Sequence, residues 1–111
     1  MMIEITNQYI TNNRIDKKAL ALLGADVVEI EDDKITFKTD VDFGYFKSLA
    51  SVTGITFNGD VEFFECNNLF FVYDITFNGN VKFESCKSLV SVSGATFKKG
   101  FKAYKCNNLK Q

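Results

Sequence analysis

The sequence predicts a mainly β protein, a parallel β-solenoid of 20-residue coils with a small N-terminal α/β cap. Three observations predict it: the chain matches itself when shifted by twenty residues, apolar residues recur at fixed positions of that period, and the first 34 residues do not repeat. A short fixed period is typical of proteins in which each repeat forms one coil that packs against the next. We therefore expect a cap over 1–34 and about three and a half coils over 35–111, forming one folded unit.

Both halves of the period show the repeat. One half reads ITFKTDVDF, ITFNGDVEF, ITFNGNVKF and ATFKKGFKA, and the other reads GYFKSLASV, FECNNLFFV, ESCKSLVSV and YKCNNL. Seven apolar columns recur at intervals of twenty, starting at Ile35, Phe37, Val41, Phe43, Phe46, Leu49 and Val52. Residues two apart in a strand share a face, so the columns predict a core made by stacking. The pairs Asn58-Gly59 and Asn78-Gly79 predict turns, since both residue types tolerate a positive φ.

The first 34 residues predict a strand, a short helix and a second strand. MIEIT reads as the first strand, Asp16 as the N-cap of the helix, and Gly24 as its end. The buried face of the helix is expected to hold Ile15, Ala19 and Leu22 or Leu23. ADVVEIEDDKITF then reads as strand, tight turn and strand. Such a cap would cover the core and the unpaired edge of the first coil.

No matching cap is visible in the last residues, which read CNNLKQ. We expect this end to be covered by a partner, paired with a second copy of the chain, or protected by its lysines alone.

The segments VEFFECNNL and VKFESCKSL are similar to the strand segment of leucine-rich repeats, L-x-L-x-x-[NC]-x-x-L, in the variant with an inward Cys. The twenty-residue period resembles the short bacterial and phage members of that family. The resemblance covers about residues 35–111 and implies a solenoid without implying an activity. Phe and Val replace most of the leucines, so a generic parallel β-solenoid remains an alternative geometry.

Composition argues against catalysis. The chain has no His, which removes the usual general base and the commonest metal ligand. It shows no phosphate-binding loop, nucleophile motif or inward pair of carboxylates, so we expect no enzymatic activity, no cofactor and no metal. A polar N-terminus, short apolar runs and three cysteines predict a cytoplasmic protein with reduced thiols and no membrane partner.

Two polar or sulfur-bearing columns are predicted to be structural. Cys66, Cys86 and Cys106 share a column, and their side chains are expected to point the same way as small buried apolar groups. Thr36, Thr56, Thr76 and Thr96 form one narrow outward stripe, which suits half-exposed strands.

The middle coil carries aromatic side chains that its neighbours lack. The four residues are Phe64, Phe70, Phe71 and Tyr73; the other coils hold Gly or Glu, Ala or Val, Ser, and Thr or Ser at these positions. Exposed apolar patches commonly mark interaction sites, and Phe and Tyr often anchor protein interfaces. We therefore predict a protein-binding surface, with Phe70 and Phe71 as its best pair. Two alternatives are that the cap covers them, and that Phe64 lies on a different face.

Charge is polarised along the chain. Residues 26–65 hold ten acidic and three basic residues, whereas residues 81–111 hold seven lysines and one glutamate. Within the outward column of Asp42, Glu62, Lys82 and Lys102, Glu62 is expected to lie beside Lys82, where the two side chains can pair across strands. Electrostatic contacts with a partner are predicted for Lys98, Lys99, Lys102, Lys105 and Lys110. A solvated gradient without a role is an equal alternative.

The leading hypothesis is a non-enzymatic intracellular protein-binding module. Its narrowest form, drawn by analogy from the size and the phage-like repeats, is a phage-encoded steric inhibitor of a host defence protein, similar in role to an anti-CRISPR. One alternative is a structural solenoid that self-associates, for instance as a homodimer, through its C-terminal coil. Another is nucleic-acid binding through the lysine-rich end.

Overall fold

The computed structural model describes residues 2–12, 14–44 and 51–110, which form a parallel β-solenoid of about 3 turns. In chain order the elements are β1 (Met2–Glu4), a 3₁₀ helix (Asn7–Tyr9), β2 (Ile10–Thr11), β3 (Arg14–Ile15), α1 (Lys17–Ala21), β4 (Val28–Glu31), β5 (Lys34–Phe37), β6 (Asp40–Gly44), β7 (Ser51–Val52), β8 (Ile55–Phe57), β9 (Val61–Phe64), β10 (Phe71–Phe77), β11 (Val81–Glu84), β12 (Ser91–Phe97) and β13 (Phe101–Tyr104). The predicted fold class is confirmed. Phe46 and Leu49, assigned above to two core columns, lie outside the described residues.

The strands form two main sheets on different sides of the coil. The first sheet has the order β1-β6-β9-β11-β13, and all its strands are parallel. The second has the order β12-β10-β8-β5-β4, with β7 beside β10, and only its β4–β5 pair is antiparallel. Strands on two sides of each coil give the cross-section of a generic parallel β-solenoid. Membership of the leucine-rich-repeat family stays a prediction.

Between successive coils the pairing register equals the repeat length, except in the β10–β12 ladder, where an irregularity pairs Tyr73 with Gly94. Val41 pairs with Val61, which pairs with Val81, and the same step of twenty links Ile35, Ile55 and Ile75. Residues side by side in a parallel ladder share a face, so each column of the sequence becomes a continuous stripe in space. In the middle coil the core columns are at most 3% exposed: Val61, Phe63, Cys66, Leu69, Val72, Ile75 and Phe77.

Two ladders of stacked phenylalanine rings run along the core. In one ladder, which joins Phe37, Phe57, Phe77 and Phe97, successive ring centroids are 5.2, 5.2 and 4.9 Å apart. In the other, which joins Phe43, Phe63 and Phe83, both separations are 4.9 Å. The two ladders meet edge to face, for example at 6.3 Å between Phe63 and Phe77. Each such pair contributes about 0.5–1.5 kcal/mol beyond its buried area, so the ladders add to the cohesion of successive coils.

The N-terminal segment supplies one strand to the edge of each main sheet. β1 pairs in parallel with β6, and β4 pairs antiparallel with β5 across the turn at Asp32, whose φ is 55°. Asp16 caps α1 as predicted, because its carboxylate accepts hydrogen bonds from the amides of Lys18 and Ala19. The Ala19 amide and the Thr11 hydroxyl hold the pKa of Asp16 below its usual value.

The predicted buried face of α1 is partly wrong. Leu20 is fully buried and belongs to the core cluster with Ile5, whereas Leu22 is 88% exposed. Ile15 and Leu23 are half-buried against the same cluster. The helix has only five residues, so the spacing of its apolar side chains was too short a signal to orient it.

The glycines of the Asn-Gly pairs are required for a different reason from the one predicted. Neither Gly59 nor Gly79 has a positive φ. A Cβ on Gly59 would lie 2.7 Å from the amide nitrogen of Asp40, and one on Gly79 would lie 2.7 Å from the carbonyl carbon of Gly59. These glycines therefore allow the corner of each coil to approach the preceding corner closely, as in other tight backbone contacts.

Polar side chains at the same corner link successive coils. The Asn78 amide Nδ2 donates to Asn58 Oδ1 at 2.8 Å, and the amide nitrogen of Asn80 donates to Asp60 Oδ1 at 2.8 Å. The asparagine ladder stops there, because the next coil has Lys98 in that column. Asn78 Oδ1 is buried without a hydrogen-bond partner. A buried acceptor left unpaired reduces stability.

Lys98→Asn is expected to extend this ladder and to raise the free energy of unfolding by about 1 kcal/mol, the usual net worth of one added hydrogen bond. The backbone supports it, since the Lys98 amide donates to Phe77 O at 3.0 Å as the Asn78 amide donates to Phe57 O at 2.9 Å. Urea unfolding measures the change. Lys99→Asn removes the same charge outside the ladder and serves as control. Equal stability of the two variants would contradict the account.

Candidate functional site

Three aromatic side chains of the middle coil point outward and are exposed. Phe70, Phe71 and Tyr73 have relative exposures of 41%, 48% and 45%. The rings of Phe70 and Phe71 lie 6.5 Å apart at 42°. Val72, between Phe71 and Tyr73, is 1% exposed, so the alternation of β10 directs its two aromatic neighbours to the surface. We call Phe70, Phe71 and Tyr73 the aromatic patch.

The following coil has side chains without aromatic rings at the positions equivalent to the aromatic patch. Phe71 pairs with Ser91, and the Phe70 carbonyl accepts a hydrogen bond from the Val90 amide at 2.9 Å. Ser91 and Ser93 of the following coil carry no aromatic ring, and their hydroxyl oxygens lie 3.0 Å apart, while Tyr73 itself pairs with Gly94. The ladder alone therefore does not require aromatic side chains in the middle coil. Their exposure also excludes the alternative in which the cap covers them.

Tyr73 lies at the end of the patch that faces the N-terminal cap. It lines a cleft together with Arg14, Lys17 and Asp33. Lys17 Nζ and Asp33 Oδ1 are 3.3 Å apart, and the Asp33 side chain is fully exposed. This side of the patch is therefore mixed in charge.

Phe64 lies apart from the aromatic patch. It ends β9 in the first sheet, whereas Phe71 and Tyr73 belong to β10 in the second sheet. Its side chain is half-buried and lines a depression with Glu4, Asp42 and Glu62. The structure thus brings together three of the four aromatic residues singled out in the sequence, and Phe64 lies outside the aromatic patch.

The five lysines predicted for electrostatic contacts are all exposed, but they do not form one face. Lys102 points outward from β13, while the others lie in the loops around the last coil: Lys98, Lys99, Lys105 and Lys110. Within the described ranges none of the five forms an ion pair. They give the last coil a positive perimeter and not a positive groove.

Charged side chains of the first sheet stand in one register. The column runs Glu4, Asp42, Glu62, Lys82 and Lys102. Glu62 and Lys82 are cross-strand neighbours as predicted, but Lys82 Nζ forms its ion pair with Glu84 Oε1, at 3.8 Å. Burial, followed by the charges of Glu62 and Glu4, raises the pKa of Asp42 above its ordinary value of 3.8. Three stacked carboxylates are a local source of repulsion.

The cysteine column has a structural arrangement in the described chain. Cys66 and Cys86 are buried, Cys106 is half-buried, and none of them forms a disulfide. The Cys66 thiol donates to the Phe43 carbonyl at 2.9 Å, and Cys86 and Cys106 make the same contact with Phe63 and Phe83 at 3.5 and 3.7 Å. Burial raises the pKa of Cys106. The thiols therefore serve as weak donors between coils.

Within residues 2–12, 14–44 and 51–110, no group of three or more His, Cys, Asp or Glu side chains is placed to hold a metal ion. In the same ranges no helix has the length and apolar character needed to cross a membrane. No protein-family model, curated protein or solved structure matches the chain.

Asp42→Asn is expected to stabilise the protein at neutral pH by removing the middle carboxylate of the acidic column. Folding raises the pKa of Asp42, so the wild-type chain gains stability from this group as pH falls and loses it as pH rises through the folded pKa. The advantage of the variant should therefore shrink as pH falls toward 3.8.

Chemical unfolding at a series of pH values measures this difference, with Asp26→Asn as the control for loss of one exposed negative charge. An advantage of Asp42→Asn that stays constant with pH, or a variant less stable than wild type, would contradict the interpretation.

Proposed function

We propose that the chain is a non-enzymatic protein-binding module that docks through the aromatic patch. The observation that carries this proposal is the exposure of three aromatic side chains in one coil, at positions where the next coil has Val or Ser. Aromatic residues bury a large area with few rotatable bonds, and they are enriched among residues that dominate interface energies.

The scaffold suits a steric binder. The patch is held by backbone pairing: β10, which begins at Phe71, pairs with β12 on one side, with an irregularity at Tyr73, and with β7 and β8 on the other, and the Phe70 carbonyl accepts a hydrogen bond from the Val90 amide. A surface held in this way loses little conformational freedom on docking, so less of the interaction energy is spent on ordering. Steric inhibition of a defence protein is the narrowest version of this proposal, and it rests on analogy alone.

The test compares wild type with Phe70→Ser/Phe71→Ser as baits in a lysate of the cells that make the protein. Both replaced rings are exposed, so the variant should fold and its melting temperature should stay within a few degrees of wild type. We expect a protein that the wild type retains and the variant loses. Tyr104→Ser is the matched control, since Tyr104 is 46% exposed on the other main sheet.

Loss of the partner in the Tyr104 variant as well, or retention by the Phe70→Ser/Phe71→Ser variant, would refute the assignment to the patch. A second copy of the chain as the only partner would favour self-association. In the described sheets β12 and β13 are edge strands, and the core residues Phe97, Phe101 and Leu109 are only half-buried. In that case Lys102→Pro, and not the patch variant, should abolish binding.

A further inference from the structure

We propose that the partner segment on the aromatic patch is acidic: its apolar side chains cover Phe70, Phe71 and Tyr73, and its carboxylates face Lys87 and Lys110. This inference rests on the proposed function, because it assigns the chemistry of the partner at that same surface. It is drawn from the charges that the stacking of coils places beside the patch.

Backbone hydrogen bonds fix the position of Lys110 relative to Phe70. The Val90 amide donates to Phe70 O at 2.9 Å, and the Lys110 amide donates to Val90 O at 2.9 Å. Phe70, Val90 and Lys110 thus form one column across three successive coils. With neighbouring strands ~4.8 Å apart, Lys110 lies about two strand spacings from Phe70.

Lys87 belongs to the loop of the next coil. It occupies there the position that Asn67 occupies in the middle coil. Its carbonyl accepts a hydrogen bond from Asn108 Nδ2 at 2.7 Å, which holds this loop to the last coil. The Lys87 and Lys110 side chains are both exposed, and neither forms an ion pair within the described ranges.

The loop and strands that carry Lys87 and Lys110 hold no acidic residue. Residues 85–110 contain six lysines and no Asp or Glu. The nearer side chains of the next coil, Ser91 and Ser93, are uncharged. On the other side Tyr73 adjoins the exposed Asp74 and the cleft that contains Asp33. An acidic segment is therefore favoured when it runs from the patch toward the last coil.

Nucleic acid is the competing partner, because aromatic rings beside basic residues also bind single strands. The arrangement of charge disfavours it. A phosphate backbone needs a basic track along the stacking rings, but in the described part of the chain Lys87 and Lys110 lie in the following coils and not along the rings, and Asp74 follows Tyr73 directly. Lys99 and Lys102 instead line a depression on the first sheet with Asp60 and Glu62.

The test is a selection from a random twelve-residue peptide display library on the wild-type chain, with prior depletion on Phe70→Ser/Phe71→Ser. We expect enriched peptides that combine aromatic or aliphatic residues with several Asp or Glu. For an enriched peptide, Lys87→Glu/Lys110→Glu should weaken binding about tenfold, mainly through slower association. Lys99→Glu/Lys102→Glu makes the same charge change away from the patch and should alter the affinity less than about threefold.

Enriched peptides that need the patch but carry no excess of acidic residues would overturn the acidic partner and leave the proposed function standing. Equal weakening by both lysine pairs would also overturn it, because the effect would then be one of net charge. A thymidine oligonucleotide that binds and is lost from both the patch variant and Lys87→Glu/Lys110→Glu would assign the surface to nucleic acid. Recovery of no patch-dependent peptide would count against the proposed function itself.

Discussion

In-register stacking of identical side chains, above all of the phenylalanine ladders, is the constraint on which the rest of the structure depends. Rings 4.9–5.2 Å apart fit the spacing of neighbouring strands, so the repeat must return each Phe to the same position of the coil. A shift of one residue in any coil would turn its phenylalanines toward solvent. The corner glycines, the asparagine pair and the thiol donors all act at contacts between coils that this register creates.

The same constraint explains why a difference between coils at an outward position points to a role other than folding. Stacking restricts the inward positions, where the first coils mostly repeat the same residues and the last coil departs at Ala95, Phe101 and Ala103. At outward positions the side chain is not set by stacking, so one coil serves as the reference for another. Phe71 beside Ser91 is such a comparison: the backbone pairing is shared and only the side chain differs. The patch and the neighbouring lysines are therefore features added to a scaffold that does not need them, which is where binding chemistry is expected in repeat proteins.

Much of this could be predicted from the sequence, because the period of twenty assigns inward and outward positions directly. The core columns and the outward direction of Phe70, Phe71 and Tyr73 follow from it, and the Asp16 cap follows from the helix-start pattern in the segment that does not repeat. Features that depend on distances between coils could not be predicted. Gly59 must be glycine because the backbone of the preceding corner lies so close. Phe64 is separated from Phe71 by the path of the loop between the two sheets. The burial of Leu20 was missed because five helical residues do not define a face. The ion pair of Lys82 with Glu84 could not be predicted either, because side-chain rotamers, not register, decide such pairs.

The most direct test of the account is a measurement of proton–proton contacts by nuclear Overhauser spectroscopy on the isotope-labelled chain. In-register stacking predicts backbone contacts between residues twenty apart, joining Val61 to Val81 and Val81 to Phe101, and again Ile55 to Ile75. Contacts of this kind require parallel coils in register. Antiparallel contacts among these strands, whose partner numbers rise in one strand as they fall in the other, would contradict the solenoid and with it the surface proposed for binding.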